Sequence, residues 1–195
     1  MIERKQVGIA VVGAGRIGSL RAGLAAGYPA VNFIAISDAD PARAHDLAQR
    51  IGAQFDSGDN LAAISRPEVN AVIVATSEGE HMQPVMQTLE RGKSVLVEKP
   101  IALTLAEADR IVAEVEKRKA SLRVGYSRRY KERYLIAKEQ VTQGRVGRIV
   151  GASAHGLPSA RWSSQARVSL AIGPQKSPSA QSPGVPLCRN TMLTE

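Results

Sequence analysis

Residues 7–40 read VGIAVVGAGRIGSLRAGLAAGYPAVNFIAISDAD, and this stretch decides the fold. It opens with a short apolar run, VGIAVV, of the kind that forms a strand buried on both faces of a parallel sheet. The glycine-rich string GAGRIG follows directly, and apolar residues at helical spacing come after it. A second apolar run, VNFIAI at 31–36, resembles the first. The stretch therefore predicts a strand, a glycine turn, a helix and a second strand.

The glycine-rich string suits the binding of a dinucleotide. Gly13 permits a tight turn, Gly15 lets a pyrophosphate approach the backbone, and Gly18 allows the helix to lie close to the strand. Arg16 and Ile17 stand at the start of the helix, where unpaired amides and the helix dipole attract that pyrophosphate. An ordinary tight turn is the alternative, but the position between a strand and a helix favours a dinucleotide site.

Asp38 is the predicted partner of the adenosine ribose. It ends the second strand and stands 20 residues after Gly18, which is the spacing of the ribose-binding acid in dinucleotide folds. Its carboxylate would repel a 2′-phosphate, so the sequence favours NAD over NADP. Two alternatives stay open: Asp38 caps the helix that begins at Pro41, or Arg43 makes NADP a possible cofactor.

Strand and helix patterns continue to alternate after this first unit. Further strands are predicted around 53–55, at 71–76, at 94–98 and at 122–124. Thr104 and Glu107 form a capping box at the start of the last intervening helix. Short connections between alternating strands and helices imply right-handed crossovers. We therefore predict an α/β fold with a doubly wound, mainly parallel sheet.

The pattern changes after residue 124. The sequence predicts a basic helix at 128–142 and a strand at 148–154, and residues 163–195 contain six serines and four prolines, typical of a disordered tail. The predicted regions are a dinucleotide-binding domain at 1–124, the start of an incomplete α+β domain at 125–157, and a low-complexity tail at 158–195. A strand with few later partners would leave an exposed edge, a route to homo-oligomers.

Composition limits the classes of protein that this chain can represent. Of its 195 residues, 44% are hydrophobic and 23% are charged, as in ordinary globular proteins. The single cysteine, Cys188, excludes an intramolecular disulfide framework, and no metal site is predicted. Because no apolar run is long enough to span a bilayer, we expect a cytoplasmic protein with no membrane partner.

The net charge of +8 alone permits a nucleic-acid partner. The segment SRRYKERY at 127–134 interleaves basic residues with tyrosines, which can pair with phosphates and stack on bases. A single short helix is a small surface for that purpose, however. We predict no nucleic-acid partner and a small-molecule substrate instead.

Glu98-Lys99-Pro100 follows the predicted strand at 94–98, at the edge where open α/β sheets bind ligands. A lysine at this place can donate a hydrogen bond to a substrate hydroxyl or to the nicotinamide amide. The alternative is that Lys99 is a solvated loop residue and that Pro100 only ends the strand. The spacing alone does not decide between the two.

Several motifs, taken in order, resemble the glucose–fructose oxidoreductase and inositol dehydrogenase family (Gfo/Idh/MocA). They are GAGRIG at 13–18, Asp38, AT at 75–76 with His81, GKSVLVEKPIALTLAEADRIV at 92–112, LRVGYSRRYKERY at 122–134 and GRVGRIV at 144–150. The resemblance implies a Rossmann domain, a nicotinamide cofactor, and hydride transfer at a carbon of a sugar, a polyol or a related compound. It also implies a catalytic position for Lys99 and positions near the cofactor for Thr76, His81 and Glu98.

The chain departs from this family after residue 157. The family continues with a sheet domain that carries an Asp and a His for substrate binding and proton transfer, whereas here the last histidine is His155 and no Asp follows it. His155 is an alternative proton acceptor, although a structural role on a strand is the simpler interpretation. Two functions remain open: an NAD(P)-dependent oxidoreductase, or a catalytically impaired nucleotide-binding fragment.

Overall fold

A computed structural model describes residues 6–155 and 167–169. The chain divides into two compact units, Met1–Ser127 and Arg128–Glu195. The first unit contains, in chain order, β1 (Val7–Val12), α1 (Arg16–Ala26), β2 (Val31–Ser37), α2 (Pro41–Ile51), β3 (Phe55–Ser57), α3 (Asn60–Ile64), β4 (Ala71–Val74), α4 (Met82–Glu90), β5 (Ser94–Val97), α5 (Leu105–Arg118) and β6 (Leu122–Val124). The second contains α6 (Glu132–Thr142), β7 (Ala152–His155) and β8 (Arg167–Ser169).

The six strands of the first unit form one parallel sheet in the order β3-β2-β1-β4-β5-β6. The predicted doubly wound α/β fold is therefore confirmed. The order reverses between β1 and β4, and in such sheets ligands bind outside the carboxyl ends of the strands at that point. The glycine turn after β1 lies at this edge.

Helices cover both faces of the sheet. On one face, α1 and α2 enclose a core with residues of β1 and β2, including Ile36 and Leu47. On the other face, α3, α4 and α5 pack against the sheet through buried residues such as Ile64, Leu89 and Ile111. These two clusters hold the helices against the two faces of the sheet.

Helix α1 buries its small residues rather than its large ones. Its buried positions are Gly18, Ala22 and Ala25, whereas Leu20 and Leu24 are more than half exposed. The apolar spacing correctly locates the helix, but the leucines do not form its core-facing side. The physical reason is the glycine turn, because it brings α1 too close to the sheet for large side chains.

The capping box predicted at the start of α5 is present. The backbone amide of Glu107 donates to Thr104 Oγ1 at 3.3 Å, and the Thr104 amide donates to Glu107 Oε2 at 3.3 Å. These bonds satisfy amides that the first turn of a helix leaves without partners. The helix therefore begins where the sequence places it.

The second unit differs from the sequence prediction in two places. The predicted helix at 128–142 begins later, because Ser127–Tyr130 is a 3₁₀ turn and α6 starts at Glu132. The strand predicted at 148–154 begins four residues later and ends one residue later, since β7 spans Ala152–His155 and pairs antiparallel with β8. A short strand thus lies within the region predicted as a tail, where a serine- and proline-rich composition gives no strand signal.

The remaining tail residues, including Cys188, lie outside the described residues. The side chain of His155 also lies outside the part that the structure describes. Over residues 6–155 and 167–169, no helix is both long and apolar enough to cross a membrane.

Candidate functional site

The glycine turn leaves one open position beside the start of α1. A Cβ atom on Gly13, whose φ is +99°, would lie 2.6 Å from the Ala75 carbonyl oxygen, and one on Gly18 would lie 1.7 Å from the Gly13 carbonyl oxygen. Gly15 differs, because the nearest atom to its Cβ position is a guanidinium nitrogen of Arg43 at 3.5 Å. Two of the glycines are thus required by packing, while Gly15 leaves free space at the helix N-terminus.

Within the described residues, no carboxylate and no capping side chain pairs with that N-terminus, and the guanidinium of Arg43 lies beside it. Gly15 is the N-cap without a side-chain hydrogen bond, and the first turn of α1, which begins with Arg16 and Ile17, contains no carboxylate. The amides of this turn and the positive end of the helix dipole therefore face the open position. This arrangement suits an anionic pyrophosphate.

Asp38 braces the glycine turn. Its Oδ2 accepts a hydrogen bond from the Ala14 amide at 2.7 Å, and its Oδ1 accepts one from the Asp40 amide at 3.0 Å. The interpretation that Asp38 caps α2 is wrong, because Asp40 is the N-cap and accepts from the Ala42 amide at 3.0 Å. The carboxylate of Asp38 lies next to the turn and keeps lone pairs available for ribose hydroxyls.

A cleft of about 250 Å³ adjoins the glycine turn between the start of α1 and one side of α2. Three arginines line it, namely Arg16, Arg43 and Arg50, together with the carboxylate of Asp46. The cleft therefore carries an excess of positive charge beside Asp38. Arg43, the residue that makes NADP a possible cofactor, is one of these three arginines.

His81 is the buried link between two loops at the ligand edge. Its side chain is 1% exposed, with Nδ1 2.8 Å from the Pro100 carbonyl oxygen and Nε2 3.3 Å from the Thr76 carbonyl oxygen. It is also the N-cap residue of α4. These contacts favour the interpretation of His81 as a residue that positions the loops after β4 and β5.

Two buried hydroxyl groups near the glycine turn lack partners. Within the described residues, Ser37 Oγ and Thr76 Oγ1 are buried without a hydrogen-bond partner. Ser37 ends β2 and accepts the Gly13 amide through its backbone carbonyl at 2.7 Å, whereas Thr76 follows β4. Because an unpaired buried hydroxyl costs about 1–3 kcal/mol, hydrogen-bonding capacity that the described protein groups leave unused lies beside the glycine turn.

Glu98 and Lys99 have different surroundings. Arg21 of α1 donates from Nε and Nη2 to Glu98 Oε1 at 2.8 and 2.6 Å, and the two side chains are 23% and 12% exposed. Lys99 is 56% exposed, and its Nζ lies 3.8 Å from Glu78 Oε1. Glu98 is thus held by protein groups, while the lysine reaches solvent at the ligand edge.

The sequence does not indicate a role in this region for Arg21, Ser37 or Glu78. Arg21 and Glu98 are 77 residues apart, and no local spacing indicates their pairing. Ser37 and Glu78 belong to no motif either. Ser37 ends β2 and Glu78 follows β4, and ligand-binding side chains are often found at the carboxyl ends of strands.

Comparison with known proteins agrees with this geometry. The model of the Gfo/Idh/MocA family, an oxidoreductase family with an NAD-binding Rossmann fold, matches residues 7–126. The chain therefore belongs to this family of NAD-binding oxidoreductases.

Similar proteins include several inositol dehydrogenases. The inositol 2-dehydrogenase of Rubrobacter xylanophilus is 31% identical over an alignment of 185 positions, which covers 82% of this chain and 53% of the relative. The NAD(+)-dependent scyllo-inositol 2-dehydrogenase of Bacillus subtilis is 31% identical over 146 residues, which are 74% of this chain and 43% of the relative. The chain spans about half the length of the curated relatives that it matches.

A solved relative has the same fold with its ligands in place. The scyllo-inositol dehydrogenase of Lactobacillus casei, solved with bound NAD(H) and scyllo-inositol, superposes with a TM-score of 0.70 at 26% identity. The match covers 77% of this chain and 46% of that one. A nicotinamide dinucleotide is therefore the cofactor of the family to which this fold and site belong.

Proposed function

We propose that this chain binds NAD(H) at the glycine turn and places Lys99 where a family oxidoreductase acting on inositol or a related polyol would transfer the hydride. The proposal is supported above all by the shared location of the cofactor-binding and catalytic candidates. The glycine turn follows β1, Asp38 follows β2, Thr76 follows β4 and Lys99 follows β5, so all of them lie at one edge of the parallel sheet.

The adenosine half of the dinucleotide has the better-defined contacts. In this proposal the amides at the start of α1 bind the pyrophosphate, which approaches the backbone at Gly15. Asp38 accepts hydrogen bonds from the ribose hydroxyls while it holds the turn through the Ala14 amide. The unpaired hydroxyls of Ser37 and Thr76 add polar groups beside the same turn.

The nicotinamide half is proposed to lie toward the loop after β5. When bound, the oxidised nicotinamide ring supplies the chemistry of the reaction by accepting a hydride. Lys99 then donates a hydrogen bond to the substrate hydroxyl and orients its carbon. The inositol relatives support a polyol as the substrate class.

A second candidate is a nucleotide-binding fragment without turnover. Oxidation of an alcohol needs a group that accepts the hydroxyl proton. The acidic group beside Lys99 in the described part of the chain is Glu78, and the Asp and His that the family resemblance implies are missing from the sequence. We therefore propose that these 195 residues bind the cofactor but turn over polyols only negligibly.

The binding claim is tested by titrating the purified chain with NADH and following its fluorescence. We expect saturable binding with an enhanced, blue-shifted emission, because the nicotinamide leaves water. Asp38→Ala should weaken binding by at least about tenfold, which corresponds to about 1.4 kcal/mol. Asp109→Ala, a change of an exposed acid on α5, is the control and should leave the affinity unchanged. Unchanged binding by Asp38→Ala would defeat the ribose assignment.

The catalytic claim needs a separate assay. We expect no measurable NADH production from NAD with myo-inositol, glucose or xylose. A robust rate that is abolished by Lys99→Met and kept by Lys117→Met would contradict the fragment interpretation and establish the chain as an enzyme.

A further inference from the structure

The ion pair between Arg21 and Glu98 lies directly beside the candidate catalytic lysine, and the family resemblance implies only that Glu98 is near the cofactor. We propose that Arg21 and Glu98 are positioning residues, which fix the backbone at Lys99 and so direct its amine to the ligand edge of the sheet. This inference rests on the proposed function for the role of Lys99, although the restraint itself exists without the cofactor.

The first argument is the geometry of the pair. Both nitrogens that Arg21 contributes donate to the same oxygen, Glu98 Oε1, at 2.8 and 2.6 Å. Charge-assisted hydrogen bonds of this kind are about twice as strong as neutral ones. The arginine comes from the second turn of α1, a helix held against the sheet by its buried small residues. Glu98 is therefore tied to a rigid element across the sheet.

The second argument is the confinement of the Glu98 carboxylate. A Cβ atom on Gly125 would lie 2.9 Å from Glu98 Oε2 and 3.1 Å from Oε1. The glycine thus leaves the space into which the carboxylate fits, just after β6. Arginine on one side and the Gly125 backbone on the other leave the side chain little freedom, in agreement with its 12% exposure.

Glu98 and Lys99 differ in how firmly the protein holds them. The Glu98 amide donates to the Val74 carbonyl at 2.9 Å, so the chain is still in register with β4 at this residue. One residue later, Lys99 is 56% exposed with a single weak ion pair at 3.8 Å. Nothing on the lysine side chain itself fixes its direction. The backbone neighbours on both sides of Lys99 are anchored instead. The Pro100 carbonyl contacts His81 Nδ1 at 2.8 Å, and the side chain of Glu98 is held by Arg21.

The test compares Glu98→Gln with a matched control, Glu68→Gln. Glu68 also pairs with an arginine, Arg66, at 2.8 Å, but this pair is more exposed and belongs to the loop before β4. The first measurement is the ¹⁵N heteronuclear NOE of the Lys99 amide in the free chain. We expect Glu98→Gln to lower this NOE by at least about a third, and Glu68→Gln to leave it unchanged.

The second measurement follows the lysine side chain. Reductive ¹³C-methylation labels the lysine amines of the chain, the Lys99 signal is identified by its loss in Lys99→Arg, and NADH is then added. We expect a chemical-shift change at Lys99 in the original chain, a loss of at least half of that change in Glu98→Gln, and an NADH dissociation constant that differs by less than about threefold. Arg21→Lys, which keeps the positive charge, should restore more of the shift change than Arg21→Met.

Gly125→Ala is a second variant for the case in which Glu98→Gln does not fold. It keeps both charges but adds a methyl group against the Glu98 carboxylate, and we expect the same loss of order at Lys99. An unchanged Lys99 NOE in folded Glu98→Gln or Gly125→Ala would overturn the inference. If the NOE falls as expected but NADH does not bind, the proposed function fails while the positioning role of the pair stands.

Discussion

Asp38 illustrates how one side chain serves both fold and ligand. Its two carboxylate oxygens accept hydrogen bonds from the backbone amides of Ala14 and Asp40, so it fixes the shape of the turn before any cofactor is present. In the proposed site, its negative charge would disfavour the 2′-phosphate of NADP. Arg43 is close by, with a guanidinium nitrogen 3.5 Å from the Cβ position of Gly15. The two residues therefore act in opposite directions on a 2′-phosphate.

The cofactor preference follows from this balance. The original chain should bind NADH more tightly than NADPH, because the carboxylate repels the 2′-phosphate. Asp38→Ser removes the charge and keeps an acceptor for the Ala14 amide. We expect the ratio of the two dissociation constants to shift toward NADPH by at least about tenfold, or about 1.4 kcal/mol. Fluorescence titrations with both reduced cofactors measure the ratio, and an unchanged ratio would show that Asp38 does not face the ribose.

Helix α1 illustrates what the sequence predicts at the level of an element. The glycine string and the apolar spacing correctly place a helix after β1. They do not show which side of the helix faces the sheet, because the closest approach is made by small residues such as Gly18 and Ala22. The large residues Leu20 and Leu24 stay exposed. Hydrophobic periodicity points to the large apolar side chains. The contact between α1 and the sheet requires small residues instead, because the two backbones lie close together.

A pair of glycine substitutions in α1 tests this close approach. In Gly18→Ala, the added methyl would lie 1.7 Å from the Gly13 carbonyl oxygen, so the helix must move. We expect a loss of about 3 kcal/mol in the free energy of unfolding. Gly23→Ala places a methyl where no atom lies within 4 Å and should instead stabilise the chain by about 0.5–1 kcal/mol. Urea denaturation measures both, and equal effects would contradict the packing described.

Contacts between distant elements are the part of the site that the sequence does not predict. The motifs correctly indicate the parallel sheet, and the residues proposed to bind the ligand follow β1, β2, β4 and β5 at one edge of it. The Arg21–Glu98 pair joins residues 77 positions apart, and the bond from His81 to the Pro100 carbonyl joins two separate loops. Such partners depend on how helices and strands pack, which local spacing does not encode.

At the scale of the whole molecule, a complete nucleotide-binding sheet precedes a short second unit. The family match covers residues 7–126, and the chain spans about half the length of the curated relatives. The groups proposed to bind the dinucleotide all belong to the first unit. Cofactor binding should therefore be measurable on this chain whether or not the chain oxidises polyols.

The central claim is that the pyrophosphate of NAD(H) rests against the backbone at Gly15, and calorimetric titration of NADH into the original chain and Gly15→Ala tests it directly. Gly15 has φ −68° and ψ −172°, which alanine also adopts, and its Cβ position is free of close contacts, so the variant should lose less than about 1 kcal/mol of folding stability. We expect saturable binding by the original chain and binding at least about tenfold weaker by the folded variant. Equal affinities, or no binding by the folded original chain, would contradict it.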